Sequence, residues 1–125
     1  MEQKYLLDTN AVLDFLGNKL HLKAQGVMSQ IIDTEINLSV INKMELLGFS
    51  KIESELVDFV NYASILPISD EVVEKTIEIR KIHRIKLPDA IIAATAIVHN
   101  MTVVTHNVFD FKNIDGLMIL NLWDS

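Results

Sequence analysis

Apolar residues recur along this chain with two different periods, every second position in some stretches and about every 3.6 in others, and the changes of period mark out its elements. Short apolar or β-branched runs at residues 4–7, 36–40, 101–105 and 117–122 predict strands. Residues 64–68 predict a short strand or an extended link, because Pro67 cannot donate to a central ladder. Between them lie helical patterns. Val12, Leu13, Phe15 and Leu16 predict a helix over 9–16 that Gly17 and Asn18 stop. Further helices are predicted over 21–33, with Gly26 as a weak point, over 41–49 and over 53–62. Ser69 has the character of an N-cap, with Asp70 and Glu71 suiting the helix dipole behind it, and that helix runs to about His83. Pro88 then opens a helix reaching His99, apolar on nearly every side and therefore expected to be buried, with Asn100 as its stop.

Strands alternating with helices imply an α/β fold, a mostly parallel sheet covered on both faces. In such sheets ligands sit beyond the carboxyl ends of the strands. No linker, repeat or low-complexity segment interrupts the pattern, and residues 1–125 are expected to form one domain.

Composition narrows the function classes. Half the residues are hydrophobic and mean hydropathy is +0.28, which excludes a disordered chain. No apolar run approaches the roughly 18 residues that a membrane span needs. The first strand begins almost at Met1, leaving no room for a signal peptide. There is no cysteine, hence neither a disulfide framework nor a thiolate metal site. A soluble, cytoplasmic protein with no membrane partner is the expectation. The net charge of −6 opposes binding to phosphate. Two divalent cations held by carboxylates would bring it to about −2 and remove the repulsion where phosphate must approach.

Four acids fall at positions the fold rule singles out. Asp8 closes the first strand, where an acid is ordinarily a helix cap. Glu45 shares a helical face with Ile41 and Gly48, near Met44, and needs a partner there, although a solvated helix glutamate is the plain alternative. Asp89 follows Pro88 at the start of the apolar helix, where the dipole alone would account for it. Asp110 lies in the loop after the strand at 101–105, an ordinary place for a surface aspartate. Singly none of them decides anything. Gathered at one sheet edge, carboxylates about 5 Å apart repel by some 3 kcal/mol per pair at an effective dielectric near 20, so such a cluster calls for a cation. Oxygen-only ligands favour Mg²⁺ or Mn²⁺. The chemistry that follows is phosphodiester hydrolysis by a metal-activated water, with Thr105 and Asn107 orienting a carboxylate or water from behind.

Four runs carry a family resemblance: Leu6-Leu7-Asp8-Thr9-Asn10; Ser39-Val40 through Glu45-Leu46; Leu87-Pro88-Asp89-Ala90-Ile91-Ile92-Ala93-Ala94-Thr95-Ala96; and Thr105-His106-Asn107-Val108-Phe109-Asp110-Phe111. Together they resemble PIN domains, and the small single-domain form is similar to VapC-type toxins of toxin–antitoxin pairs. The resemblance implies a three-layer α/β/α sandwich with a five-stranded parallel sheet and Mg²⁺- or Mn²⁺-dependent endoribonuclease activity. It also implies that Asp8, Glu45 and Asp89 are the core catalytic and metal-binding acids, with Asp110 the more variable fourth, and that Thr105 and Asn107 support them. Homodimerisation and silencing by a cognate antitoxin are implied as well. Where family members often carry threonine, this chain has Asn42.

Four of the eleven Lys and Arg residues fall within residues 80–86, just before Asp89. Arg84 and Lys86 are candidates to guide an RNA backbone to the acids, while cations at a helix C-terminus also complement its dipole. His21, His83, His99 and His106 form no close ligand pair. Trp123, Tyr5 and Tyr62 form no evident base-stacking array. Three other readings stand beside the ribonuclease. One is a non-catalytic interaction module, and a second is a metal-dependent DNA nuclease. The third is a phosphatase using Asp8 as nucleophile, which Asn10 disfavours because such enzymes carry an acid there.

Overall fold

The computed structural model describes residues 3–123. Its elements run β1 (Lys4–Leu7), α1 (Thr9–Leu16), α2 (Leu22–Thr34), β2 (Asn37–Ser39), α3 (Val40–Leu47), α4 (Ser54–Tyr62), β3 (Ser64–Leu66), α5 (Asp70–Ile82), α6 (Leu87–Val98), β4 (Met101–Val104), α7 (Val108–Phe111) and β5 (Met118–Leu120). Most predicted boundaries move by a residue or two, each with a local cause. His21 is the N-cap of α2, its Nδ1 accepting from the Ala24 N–H at 3.3 Å. Val40 joins α3 because Ser39 and Asn42 close a capping box just before it. Asn18 and Asn100 stop their helices at φ 55° and 57°, the left-handed region that asparagine tolerates best after glycine. Gly26 does not interrupt α2, which runs unbroken past it.

All three strand pairings are parallel: β1 with β4, β4 with β5, and β2 with β3. The five strands thus form two ladders, β1-β4-β5 and β2-β3, rather than one continuous five-stranded ladder. At the seam between β1 and β2 a side chain does the bridging: the buried Asn37 amide donates from Nδ2 to the Tyr5 carbonyl at 3.1 Å.

Alternation along the strands builds the layers. Leu7 and Val104 face one core with Leu38 of β2 and with Val12, Met28, Leu46 and Phe59, drawn from α1 to α4. Leu6 and Val103 face the other with Val72, Ile79 and the run from Ala90 to Ala96, drawn from α5 and α6. Fully burying each of these large side chains is worth about 1.5–3 kcal/mol, so the central strands are held from both sides. The α/β/α sandwich expected from the period pattern is the fold observed.

α6 owes its central position to small side chains. Ala90, Ala93, Ala94 and Ala96 are fully buried and let the helix lie close to its neighbours. Thr95 is buried among them at no polar penalty, its hydroxyl donating to the Ile91 carbonyl at 2.7 Å. The helix packs chiefly against α5 and also against β4, and the charge of Asp8, beyond the end of β1, reaches Asp89 in its first turn. Asp89 therefore follows a helix rather than a strand. It arrives on the second arm of a helical pair.

Candidate active site

Asp8 is the N-cap of α1, with its backbone extended (φ −76°, ψ 157°) so that the side chain turns back on the helix start. Its Oδ1 accepts from the Thr9 N–H at 2.9 Å. Its Oδ2 accepts from Thr105 Oγ1 at 2.8 Å and from Asn10 Nδ2 at 3.2 Å. Capping and site are thus one arrangement. A carboxylate has about four lone-pair positions, and three are filled here, which leaves one on Oδ1. Asp8 is only 5% exposed, and burial raises its pKa above the ordinary carboxylate value despite the opposing hydrogen bonds from Thr105, Thr9 and Asn10. Desolvation wins over the donors.

Glu45 is reached through Thr9, given no role from the sequence, and Asn42, noted there only as a departure from the family pattern. Thr9 Oγ1 donates to Glu45 Oε1 at 2.6 Å and accepts from Asn42 Nδ2 at 3.1 Å. Asn42 is fixed in turn by its capping box, its Oδ1 accepting from the Ser39 N–H at 3.0 Å. The cap of α3 therefore positions an acid on α1's side of the molecule through a single hydroxyl. Glu45 itself is exposed, and so is Met44. Its face is open rather than half-buried, and its expected partner is Thr9.

Asp89 lies in the first turn of α6, after Pro88. Its pKa is raised to about 6 by burial, then by the charges of Asp8, Asp110 and Glu45, with Lys86 opposing. All three of the other candidate acids thus act on the Asp89 carboxyl through their charge. Asp110 stands exposed on α7, a four-residue turn of helix where a loop was expected. Such a turn is too short to show periodicity in sequence. Among the described residues no three His, Cys, Asp or Glu side chains are arranged to hold a metal ion. Asp8, Glu45 and Asp110 each reach Asp89 through their charge, without the four closing on a common point.

The supporting residues sit as follows. Thr105 ends β4, is fully buried, and holds Asp8 directly. Asn107 contributes its backbone N–H, which donates to Thr105 Oγ1 at 2.9 Å. Asn10, considered above only for the acid it is not, also accepts the His106 N–H on Oδ1 at 2.9 Å and so ties α1 to the β4 loop. The His106 ring does not point to the acids; it stacks on Trp123 at 4.7 Å, and the indole N–H donates to Asp14 at 3.0 Å. Arg80 and Lys81 occupy the last turn of α5, where the dipole accounts for them. Arg84 and Lys86 lie beyond it, in the link to α6. Arg84 borders two clefts, one of about 770 Å³ with Arg80 and Lys81, the other of about 170 Å³ with Asp110 and Lys112.

Comparisons with known proteins point to one family. A sequence model of the family described as PIN domain matches residues 5–117. Ribonuclease VapC1 of Rickettsia felis is 28% identical, the match covering 94% of this chain and 95% of that protein. The crystal structure of VapBC2 from Rickettsia felis, bound to a promoter DNA fragment, is similar with a TM-score of 0.77 and 27% identity over 95% of this chain and 98% of that one. A toxin–antitoxin complex from Klebsiella pneumoniae is similar with a TM-score of 0.76 and 27% identity, over 98% and 100% of the two chains.

Proposed function

This chain belongs to the PIN domain family, and from that premise we propose that it is a Mg²⁺- or Mn²⁺-dependent endoribonuclease, the toxin of a VapBC-type pair. The observation that carries the reading is the family match over residues 5–117 together with the buried Asp8 carboxylate held by Thr9, Thr105 and Asn10; in keeping with it, burial and the charges of Asp8, Asp110 and Glu45 push the Asp89 carboxyl up to about 6. Four acids drawn from four segments form a costly arrangement unless a cation offsets their repulsion.

The chemistry of the donor set suits such an ion, and its binding would draw the four carboxylates together. The set is all oxygen, the chemistry Mg²⁺ and Mn²⁺ prefer, and Asp8 keeps one lone pair unfilled. Asp8, Glu45, Asp89 and Asp110 would hold the metal. When bound, it supplies a water of lowered pKa and offsets charge on the non-bridging phosphate oxygens. The chain's own residues do the positioning. Thr105 and Asn10 orient Asp8, Thr9 holds the Glu45 carboxylate, and Asn42 keeps Thr9 in place. Arg84 and Lys86, in the link before Asp89, guide the RNA backbone; Lys86 already acts on Asp89 through its charge.

The partners assigned to it are a cognate antitoxin, supported by the likeness to VapBC complexes, and a second copy of the chain. Val73 and Ile77, exposed one turn apart on α5, support the homodimer. A cytoplasmic place accords with the absence, among the described residues, of any helix long and apolar enough to cross a membrane.

The test is incubation of the purified protein with an RNA pool in Mg²⁺ or Mn²⁺, followed by EDTA. Cleavage that EDTA stops, and that Asp8→Asn and Asp89→Asn abolish with the circular dichroism unchanged, is the expected result. Equal cutting by both variants would instead identify a contaminating nuclease. Asp110→Asn should do the least damage of the four, since Asp110 is exposed and the other three acids can still hold one ion.

A further inference from the structure

Resting on the ribonuclease reading, we infer that Phe109, with Lys112 and Arg84 beside it, forms a subsite that stacks one base of a single-stranded RNA and holds a phosphate next to it. The ring is placed for this by its own short helix. Phe111 is the buried anchor of α7, which leaves Phe109 turned outward and 78% exposed. Exposed apolar side chains are common singly and need no explanation. Phe109 differs from the others in its surroundings. It immediately precedes Asp110, one of the four acids, and it lines the cleft of about 170 Å³ together with His83, Arg84, Asp110, Lys112 and Asn113.

The Lys112 ammonium lies 4.3 Å from the ring centroid, an attraction of cation to π-face. It covers one side of the ring and leaves the other open. Among the described residues neither Lys112 nor Arg84 takes part in an ion pair, so both charges remain available to phosphate. An open aromatic face flanked by cations is the combination that single-stranded nucleic acid uses, with bases stacking on the ring and the backbone tracking the charge. A protein partner would need an apolar surface around Phe109, and the cleft supplies mainly polar and charged neighbours instead. The base taken is one close to the bond being cut, because the ring and Asp110 are adjacent.

Binding is to be measured by fluorescence anisotropy with a short labelled RNA of mixed sequence, in Mg²⁺, in an Asp89→Asn background that leaves the RNA uncut. Phe109→Ala should weaken binding about tenfold, as the loss of one stacked base does, and Phe109→Trp should retain it. Lys112→Ala should lower the log–log salt slope by about 0.7, the share of one single-strand phosphate contact. An abasic site walked along the RNA should cost affinity at one position with the parent, and nothing there with Phe109→Ala. Equal affinity for parent and Phe109→Ala, an abasic penalty that survives the substitution, or no RNA binding by the parent would each overturn the subsite. Failure of the unsubstituted protein to cut RNA, with the dependence on Phe109 intact, would remove the nuclease reading and leave the subsite standing.

Discussion

At Asp89 burial and three neighbouring acids push one way and Lys86 the other, and the push upward prevails. Its consequence for stability has a definite sign. The folded protein binds this proton more tightly than the unfolded chain, so without metal stability falls as pH rises from 3.8 to about 6. Below that window both states are protonated and nothing is lost; above it the penalty stands in full. Asp8 is raised as well and adds in the same direction. Asp89→Asn should therefore raise the urea midpoint at neutral pH in EDTA and flatten its dependence across that window. A lower midpoint would mean that the neighbouring charges stabilise Asp89. Thr105→Val makes the complementary test, since it removes one of Asp8's donors from a fully buried place without changing the volume much. We expect cleavage to fall about 10- to 100-fold, as for other partners of metal-ligating groups, with the fold retained. Activity within error of the parent would show that Asp8 is held well enough by Thr9 and Asn10.

Among the elements, α2 and α7 show opposite limits of reading structure from local pattern. α2 tolerates Gly26 because its other turns pack Ala24, Met28 and Ile31 into the core. A methyl group at Gly26 would meet no atom within 4 Å. Gly26→Ala should accordingly stabilise the protein by about 0.5–1 kcal/mol, through a helix-favouring residue and a less free unfolded chain. Equilibrium urea unfolding measures this, and a loss of stability would show an unrecognised contact at that surface. α7 is held by tertiary packing of Phe111, which is why four residues suffice to make a turn. Its effect is to orient Asp110 and Phe109 together, something a loop would not do.

For the molecule as a whole, metal and stability should be coupled. Because an ion bound by Asp8, Glu45, Asp89 and Asp110 would bind only the folded chain, Mg²⁺ or Mn²⁺ should raise the melting temperature in a saturating way. The gain is about 2.7 kcal/mol at a hundred times the dissociation constant. Asp8→Asn should lose most of that shift in a thermal scan. An identical shift in wild type and variant would place the ion elsewhere. The two cores make this coupling possible, since one anchors α1, which Asp8 caps, and α3, which carries Glu45, while the other anchors α6 and α7, which carry Asp89 and Asp110.

Much of this was legible in the chain alone. The alternation of periods determined an α/β sandwich, because which faces are buried is a local property of residue spacing. The acids at Asp8 and Asp89 were marked locally too, one by the end of an apolar strand and the other by Pro88 ahead of an alanine-rich helix. Folding in three dimensions decided the rest. Thr9 meets Glu45 across 36 positions, Asn42 meets Thr9 across 33, and Asp8 meets Thr105 across 97, and no nearby pattern encodes such meetings. The Asn37 bridge at the seam of the two ladders is of the same kind. Spacing along a chain specifies which side of an element is apolar, whereas the partner of a polar side chain is chosen only once separate elements are packed and water has been excluded between them.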